Sequence, residues 1–513
     1  MPTLNWLTRE QDLKTAVNAE YRLLVEDEQY SYGDTESGNL IVQGDNLEAL
    51  KALLPFYAGQ VKCIYIDPPY NTGSAFEHYD DNLEHTIWLS MMYPRLELLK
   101  QFLREDGVVF VNLDEIEHSY TKIIMDEIFG RNNFIGDIIW KKRKGGGNDS
   151  QFIALDHDYI LTYTKNSSPD IHSKKWRISQ TDEYLKRYKE IDENGNRYYW
   201  DTVVRNGLKN PIPVIIKCPD GQELSINSQI SQKTIEKGLL DGTIRLTESK
   251  KSKWSLHHRV YMPVGQVLRS IIEDVGTNKS ANDEISYLYG AAKEFKYAKP
   301  ESLIKKLFEL VTSPGDLVLD SFLGSGTTAA VAHKMGRRYI GIEMGEQAKT
   351  HCTVRLKKVI DGEQGGISKA LDWKGGGGFR FFTLGDAVFD KDRRIKEDIS
   401  FENLAAHIYF TETKKPMTKC KNDSTFLGIH EDTAYALLYN GILGDKKVDS
   451  GNVLTYKTLN HIMNDIDAAA KKNKAELEYN QLVIYGEATR LTYVSLENNN
   501  IIFKQTPYDI KVW

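Results

Sequence analysis

Apolar positions along this chain follow two rhythms. Short unbroken runs predict strands buried on both faces: Leu40 to Val42, Val61 to Ile66 (broken once by Lys62), Gly107 to Asn112, Leu317 to Leu319, and Tyr339 to Ile342. Between them lie stretches with helical spacing. Asn46 to Leu54 is amphipathic, Ile87 to Phe102 sets Leu89, Met92, Leu96 and Leu99 on one face, and Glu301 to Leu310 follows Lys299-Pro300. Phe134 to Trp140 and His157 to Tyr163 predict further strands. Helices alternating with apolar strands predict an α/β fold with a parallel-rich, doubly wound sheet.

From about Asn166 to Asp283 that alternation breaks down, and basic and aromatic residues interleave, among them Arg205, Lys209 and Arg259. Glycines 375 to 378 mark a junction or a hairpin tip, after which short strands such as Ala434 to Tyr439 and Leu482 to Tyr485 flank a helix around Leu459 to Lys472. The expected division is a helical arm over 1–38, one half of an α/β domain over 39–165, an insertion over 166–285, the second half over 286–373, and a smaller α+β domain over 374–513.

Two junctions carry chemistry. The strand ending at Ile66 runs into Asp67-Pro68-Pro69-Tyr70. Two prolines fix φ and remove two N–H donors. The Asp67 side chain and the Pro68 carbonyl remain as acceptors facing one point, and Tyr70 offers a stacking face. Such a corner can hold the exocyclic amine of a planar base, as in an adenine extruded from a duplex. A turn with no ligand is the plainer reading of a proline-rich tetrapeptide.

The strand ending at Asp320 runs into Ser321-Phe322-Leu323-Gly324-Ser325-Gly326-Thr327-Thr328-Ala329, then a helix, then a strand ending in Glu343. Glycines let backbone approach a ligand closely, and an acid at the end of the second strand can take ribose hydroxyls. Gly324-x-Gly326-x-x-Ala329 also fits the dinucleotide fingerprint. Phe322 and the separate Asp67 motif favour S-adenosylmethionine over NAD.

These residues, in this order, resemble the β class of amino-methylating DNA methyltransferases. More narrowly, Asp67 to Gly73, Lys142 to Asp149 and Asp156 to Ile160 resemble Mod subunits of type III restriction–modification systems. The resemblance covers about 40–165 and 293–355. It implies a Rossmann-like S-adenosylmethionine-dependent methyltransferase sheet with an inserted target-recognition domain and a smaller C-terminal domain. It also implies N6-adenine methylation of double-stranded DNA by base flipping, with a homodimer and a restriction (Res) subunit as expected partners. Catalytic candidates are Asp67, Pro68, Pro69 and Tyr70. Cofactor candidates are Asp320, Phe322, Gly324, Ser325, Gly326, Thr327 and Glu343, together with Lys299-Pro300, which the resemblance places against the methionine moiety. Asp45 is either a contact to the cofactor's adenine, as the family implies, or a helix N-cap. Lys141, Lys142, Arg143, Lys144 and Asn148 are candidate DNA contacts beside a glycine cluster that is either an active-site loop or a plain turn. Arg205, Lys209 and Arg259 are candidates within the insertion. N4-cytosine methylation, RNA methylation and a non-catalytic recognition subunit are the competing readings.

Composition narrows the setting. At 513 residues the chain has room for several domains, and its hydrophobic fraction is 41%. No apolar stretch is long enough to span a bilayer, and Met1 to Trp6 lacks signal-peptide character. Cys63, Cys218, Cys352 and Cys420 stand far apart, which argues against a disulfide framework or zinc site and for a reducing cytoplasm. No metal is expected. Net charge is −6, yet 166–260 holds 17 Lys+Arg against 12 Asp+Glu, so that stretch is +5. Local basic surface can serve a polyanion inside an acidic chain.

Overall fold

The computed structural model describes residues 3–70, 85–145, 151–172, 176–180, 182–204, 207, 209–249, 253–290, 295, 298–389, 399–415, 417, 424–441, 452–473 and 478–506. Two compact units emerge, Trp176–Leu268 and the rest of the chain.

The larger unit is organised around one 11-stranded sheet. Its principal strands are β1 (Arg22–Glu26), β2 (Leu40–Gln43), β3 (Val61–Ile66), β4 (Leu103–Leu113), β5 (Phe134–Lys141), β6 (His157–Thr164), β7 (Ile271–Ile272), β8 (Leu317–Asp320), β9 (Arg338–Glu343) and β10 (Gly378–Ala387). They lie in the order β1-β10-β2-β9-β8-β3-β4-β6-β5-β7. The run from β10 to β4 is parallel, whereas β6 is antiparallel to both β4 and β5.

Among the described residues of the larger unit, these helices accompany the strands: α1 (Asn46–Tyr57), α2 (His85–Phe102), α3 (Glu115–Met125), α4 (Asn278–Tyr289), α5 (Glu301–Val311), α6 (Thr327–Lys334), α7 (Thr353–Ile360), α8 (Phe401–Thr413) and α9 (Tyr456–Asn473). Every residue of β3 and β8 is buried, as expected for strands covered on both faces. Leu50, Leu53 and Leu54 of α1 and Leu89, Met92, Leu96 and Leu99 of α2 join one core with alternate strand residues Ile64, Ile66, Val109, Val111, Leu317 and Leu319. Each such side chain contributes about 1.5–3 kcal/mol on burial. On the opposite side α5 and α6 pack together, and α5 reaches β3.

Pairing across the middle of the sheet positions the site. β3 lies between β4 and β8, with Ile64 opposite both Val109 and Leu319. Asp67 and Asp320 therefore leave the same edge on adjacent strands. An open α/β sheet binds ligands outside the carboxyl ends of its strands, where the strand order reverses.

Three boundaries differ from the expected division. The 1–38 segment holds two one-turn helices, Arg9–Asp12 and Thr15–Asn18, but also β1, which pairs with β10. β10 extends the central sheet beyond Lys374, since it pairs in parallel with β2. The separate compact unit begins at Trp176 and ends at Leu268, because β7 and α4 belong to the larger unit.

Trp176–Leu268 is built from antiparallel pairs, Arg197–Thr202 with Lys253–Tyr261 and Ile212–Lys217 with Glu223–Ser228, plus the helix Gln232–Leu240. Its small core includes Val214, Ile226, Ile235 and Leu256. Toward the C-terminus of the larger unit, Phe426–His430, Thr433–Leu437, Gln481–Gly486 and Ile501–Gln505 form a four-stranded sheet. Among the described residues no helix is long and apolar enough to cross a membrane.

Candidate active site

β3 delivers Asp67 at its carboxyl end, and the prolines then turn the chain without consuming hydrogen bonds. Trp88 of α2 donates its indole N–H to the Pro69 carbonyl at 2.7 Å, pinning the corner from below. The Tyr70 hydroxyl donates to Asp67 Oδ1 at 2.7 Å and lies 3.4 Å from Asp158 Oδ2. Asn112, near the end of β4, donates to the Tyr70 hydroxyl and reaches Asp67 Oδ1 at 3.4 Å. Lys299 donates to Asp67 Oδ2, and its ammonium stands 4.9 Å from the centre of the Tyr70 ring. Burial pushes the Asp67 carboxyl above its ordinary pKa, opposed chiefly by the Lys299 charge. Burial and the nearby carboxylates hold the Tyr70 phenol well above its usual value, so it stays a donor.

The second half comes from β8. Asp320 Oδ1 accepts from the Phe322 N–H at 2.9 Å and starts the glycine turn. Gly324 has φ +57° and Gly326 +79°. A Cβ at Gly324 would meet Phe295 Cζ at 3.3 Å, and one at Gly326 would meet the Cys352 Cα at 3.2 Å. Left-handed backbone and close neighbours together favour glycine at both positions. Burial pushes the Asp320 carboxyl up to about 7, with Asp67 and Glu343 adding to the rise. Glu343, at the end of β9, accepts from the Gly324 N–H at 2.6 Å through Oε2, and from Gln347 Nε2 at 2.9 Å through Oε1. Its carboxylate thus braces the turn.

The two halves line one cavity of about 370 Å³, with Asp67 to Tyr70 on one wall and Asp320 and Phe322 to Ser325 on another. Lys299 and Thr327 also line it, as do Asp114, Lys142, Arg143 and Asp158. Burial raises the Asp114 carboxyl to about 7. Tyr65 shares a strand face with Asp67, and its buried hydroxyl has no hydrogen-bond partner among the described residues. An acidic floor, a glycine cradle and an orphaned donor fit a ligand that carries both cationic groups and acceptors.

Other sequence candidates fall elsewhere. Asp45 is the N-cap of α1, accepting from Leu47 N–H at 2.8 Å and Glu48 N–H at 3.4 Å, and it pairs with Arg95 at 2.8 Å. That is the capping alternative, and Asp45 does not line the cavity. Pro300 is the N-cap of α5. The Lys142 ammonium is directed inward onto Asp158 Oδ1 at 2.6 Å, while Arg143 and Lys144 are exposed and Lys141 is half-buried. In the smaller unit Arg259 stacks over Tyr198 and Trp200, at 4.8 and 5.7 Å, and Lys209 is exposed. Asn148 and Arg205 lie outside the described residues.

Sequence reasoning missed the support beneath the turn. Glu301 is buried and accepts from Arg355 at 2.9 Å, Lys334 at 2.7 Å and the Ile367 N–H at 3.0 Å. Arg355 also donates to Thr327 Oγ1 at 2.7 Å. One cluster therefore ties the first residue after Lys299-Pro300 to the first turn of α6. The signal was present: Arg355 falls on the same apolar stripe as Cys352, Leu356 and Val359. A charge on such a stripe needs a buried partner.

A family model described as DNA methylase, of the N6/N4 type, matches residues 61–353. Among curated proteins, the chain is 34% identical over 410 residues to "Probable type III restriction-modification enzyme HindVI Mod subunit" of Haemophilus influenzae, covering 68% of this chain and 54% of that protein. It is 29% identical over 426 residues to the EcoP15I Mod subunit of Escherichia coli, covering 68% of this chain and 65% of that protein. The chain thus spans about half to two thirds of the length of these relatives. Among solved structures, the cytosine-N4-specific PvuII DNA methyltransferase aligns at 16% identity with a TM-score of 0.36, covering 66% of this chain and 91% of that one.

Proposed function

The chain belongs to the N6/N4 DNA methylase family, and from that premise we propose that it methylates the N6 amino group of adenine in duplex DNA, with S-adenosylmethionine as donor. The carrying observation is that Asp67 and the Gly324 turn, far apart in sequence, line one cavity. The fit to the donor rests on the acidic floor at Asp320, the glycines that admit close approach, and the Tyr65 hydroxyl, which has no hydrogen-bond partner among the described residues.

When bound, the cofactor supplies a methyl group made electrophilic by its sulfonium. The residues of this chain do the rest by orientation. An aromatic amine is a weak nucleophile because its lone pair is shared with the ring. Hydrogen bonds from that amine to the Asp67 carboxylate and the Pro68 carbonyl draw the lone pair out of the ring and aim it. Tyr70 stacks on the base and replaces part of the stacking lost on extrusion, a cost of a few kcal/mol. The raised proton affinity of Asp67 suits it to take the proton the nitrogen sheds. Gly324, Gly326 and Thr327 seat the cofactor, with Ser325, Phe322, Lys299 and Pro300 around it, and Glu343, which braces the Gly324 turn, is the proposed partner of the ribose.

Similarity to Mod subunits extends the proposal to a type III restriction–modification system. In that setting the chain pairs with a second copy of itself and with a Res subunit in the cytoplasm, and the basic, aromatic segment 176–268 reads the target sequence. Lys141, Arg143 and Lys144 beside the cavity, and Lys209 and Arg259 in that segment, are the proposed DNA contacts, with Asn148 and Arg205 as further candidates.

A second reading, N4-cytosine methylation, is kept because the matching family spans both amino targets. Incubation with duplex DNA, and separately with single-stranded RNA, in the presence of methyl-tritiated cofactor, followed by nucleoside analysis, separates them: label in N6-methyladenine of the DNA supports the proposal, and label in N4-methylcytosine replaces it. Label only with single-stranded RNA, or none at all, points to the RNA enzyme or the idle recognition subunit.

A further inference from the structure

Resting on the proposed methyl transfer, we propose that Asn112 is a positioning residue that assigns the two oxygens of Asp67 to different tasks. Asn112 is completely buried near the carboxyl end of β4, next to β3. Its amide faces a carboxylate oxygen, Asp67 Oδ1, and the Tyr70 hydroxyl. A carboxylate oxygen only accepts, so the amide nitrogen is the group turned toward it. Asp67 Oδ1 then receives two protein donors, the Tyr70 hydroxyl at 2.7 Å and Asn112 Nδ2 at 3.4 Å. Oδ2 receives one, the Lys299 ammonium, and keeps an acceptor site, and both Asp67 and Lys299 line the cavity. One oxygen belongs to the frame and the other is presented to the target amine.

The same contacts hold Tyr70. Its single hydroxyl proton goes to Asp67, and the oxygen accepts from Asn112. Asp158 closes the remaining side at 3.4 Å and is itself neutralised by Lys142. A stacking ring that follows two prolines is thereby fixed before the base arrives, so its rotamer freedom is not lost during the reaction. Asn112 does not line the cavity, so its effect reaches the base only through Asp67 and Tyr70.

The test is a double-mutant cycle of Asn112→Leu with Tyr70→Phe, read as kcat and KM on unmethylated genomic DNA from a methylation-free host. Loss of positioning is expected to lower kcat about ten- to a hundredfold in each single variant, with cofactor KM within about twofold of wild type. The double variant should be no slower than the slower single one, because both changes break the same contact. If Asn112→Leu does not fold, Asn112→Ser enters the cycle in its place, with calorimetric cofactor binding as the check of an intact site. Multiplicative losses in the double variant, or an Asn112 variant with wild-type kcat, overturn the inference while leaving the proposed function standing. A wild-type chain that transfers no methyl group overturns both.

Discussion

Lys299 donates to Asp67 Oδ2 and stands 4.9 Å from the centre of the Tyr70 ring, so one ammonium touches both elements proposed to grip the base. The pair joins the two halves of the larger unit at the point where chemistry is proposed. It also bears on the charge of Asp67. Burial raises the proton affinity of that carboxyl, and Lys299 is the largest influence opposing the rise.

Replacing the ammonium should therefore move the pH profile. In Lys299→Met the Asp67 carboxyl rises further, so the carboxylate needed to accept from the amine forms only at higher pH. The acidic limb of kcat is expected to shift upward in pH, measured as initial rates across a buffer series. A limb that stays in place would separate Lys299 from Asp67 function.

Asp67→Ala and Tyr70→Ala should each reduce methyl transfer at least about a hundredfold, as expected when groups that orient a reactant are removed. Cofactor affinity, followed by calorimetry, should change little. Wild-type turnover in either variant would discard the assignment.

The glycine turn makes the opposite prediction. Gly326→Ala forces a side chain into left-handed backbone, at a cost of about 1–2 kcal/mol, and sets its Cβ 3.2 Å from the Cys352 Cα. Cofactor binding should fall before any effect on DNA affinity. Glu343→Ala should likewise weaken cofactor binding first, because it frees the Gly324 N–H that the carboxylate braces at 2.6 Å. Unchanged cofactor affinity in both variants would place the cofactor elsewhere.

Asp320 links stability to pH with an unusual sign. Its carboxyl is raised to about 7 in the fold, so the protonated form is favoured there more than in the unfolded chain. Its contribution to stability is present at low pH and is lost as pH rises from its ordinary value of 3.8 through about 7. Asp320→Asn should raise the thermal midpoint at pH 8, by up to a few kcal/mol in stability terms. The same variant should weaken binding of the cationic cofactor. A lower midpoint at pH 8 would contradict the burial cost.

Beneath the turn, Glu301→Ala leaves Arg355 and Lys334 without a shared carboxylate. Removing one partner from a buried ion cluster costs about 3–5 kcal/mol, readable as an earlier midpoint in urea unfolding.

Legibility followed locality. The strands ending at Ile66, Asp320 and Glu343 were readable because continuous apolar runs mark strands covered on both faces, and the glycines at 324 and 326 coincide with positive φ. β1 was less legible: Arg22-Leu23-Leu24-Val25-Glu26 gains strand identity only from its distant partner β10. The Lys141 to Lys144 run read as candidate DNA contacts, yet Lys142 turns inward because buried Asp158 requires a counter-charge. Asn112 gave no sequence signal of a role, and Asp158 stood only within the Asp156 to Ile160 motif, since each acts by pairing across strands that meet only in the folded sheet.

The most direct measurement is mass spectrometry of nucleosides from a methylation-free host expressing this chain. N6-methyladenine is expected with the wild-type sequence and should vanish with Asp67→Ala. Absence of any modified base, or N4-methylcytosine in its place, would contradict the proposed adenine methylation.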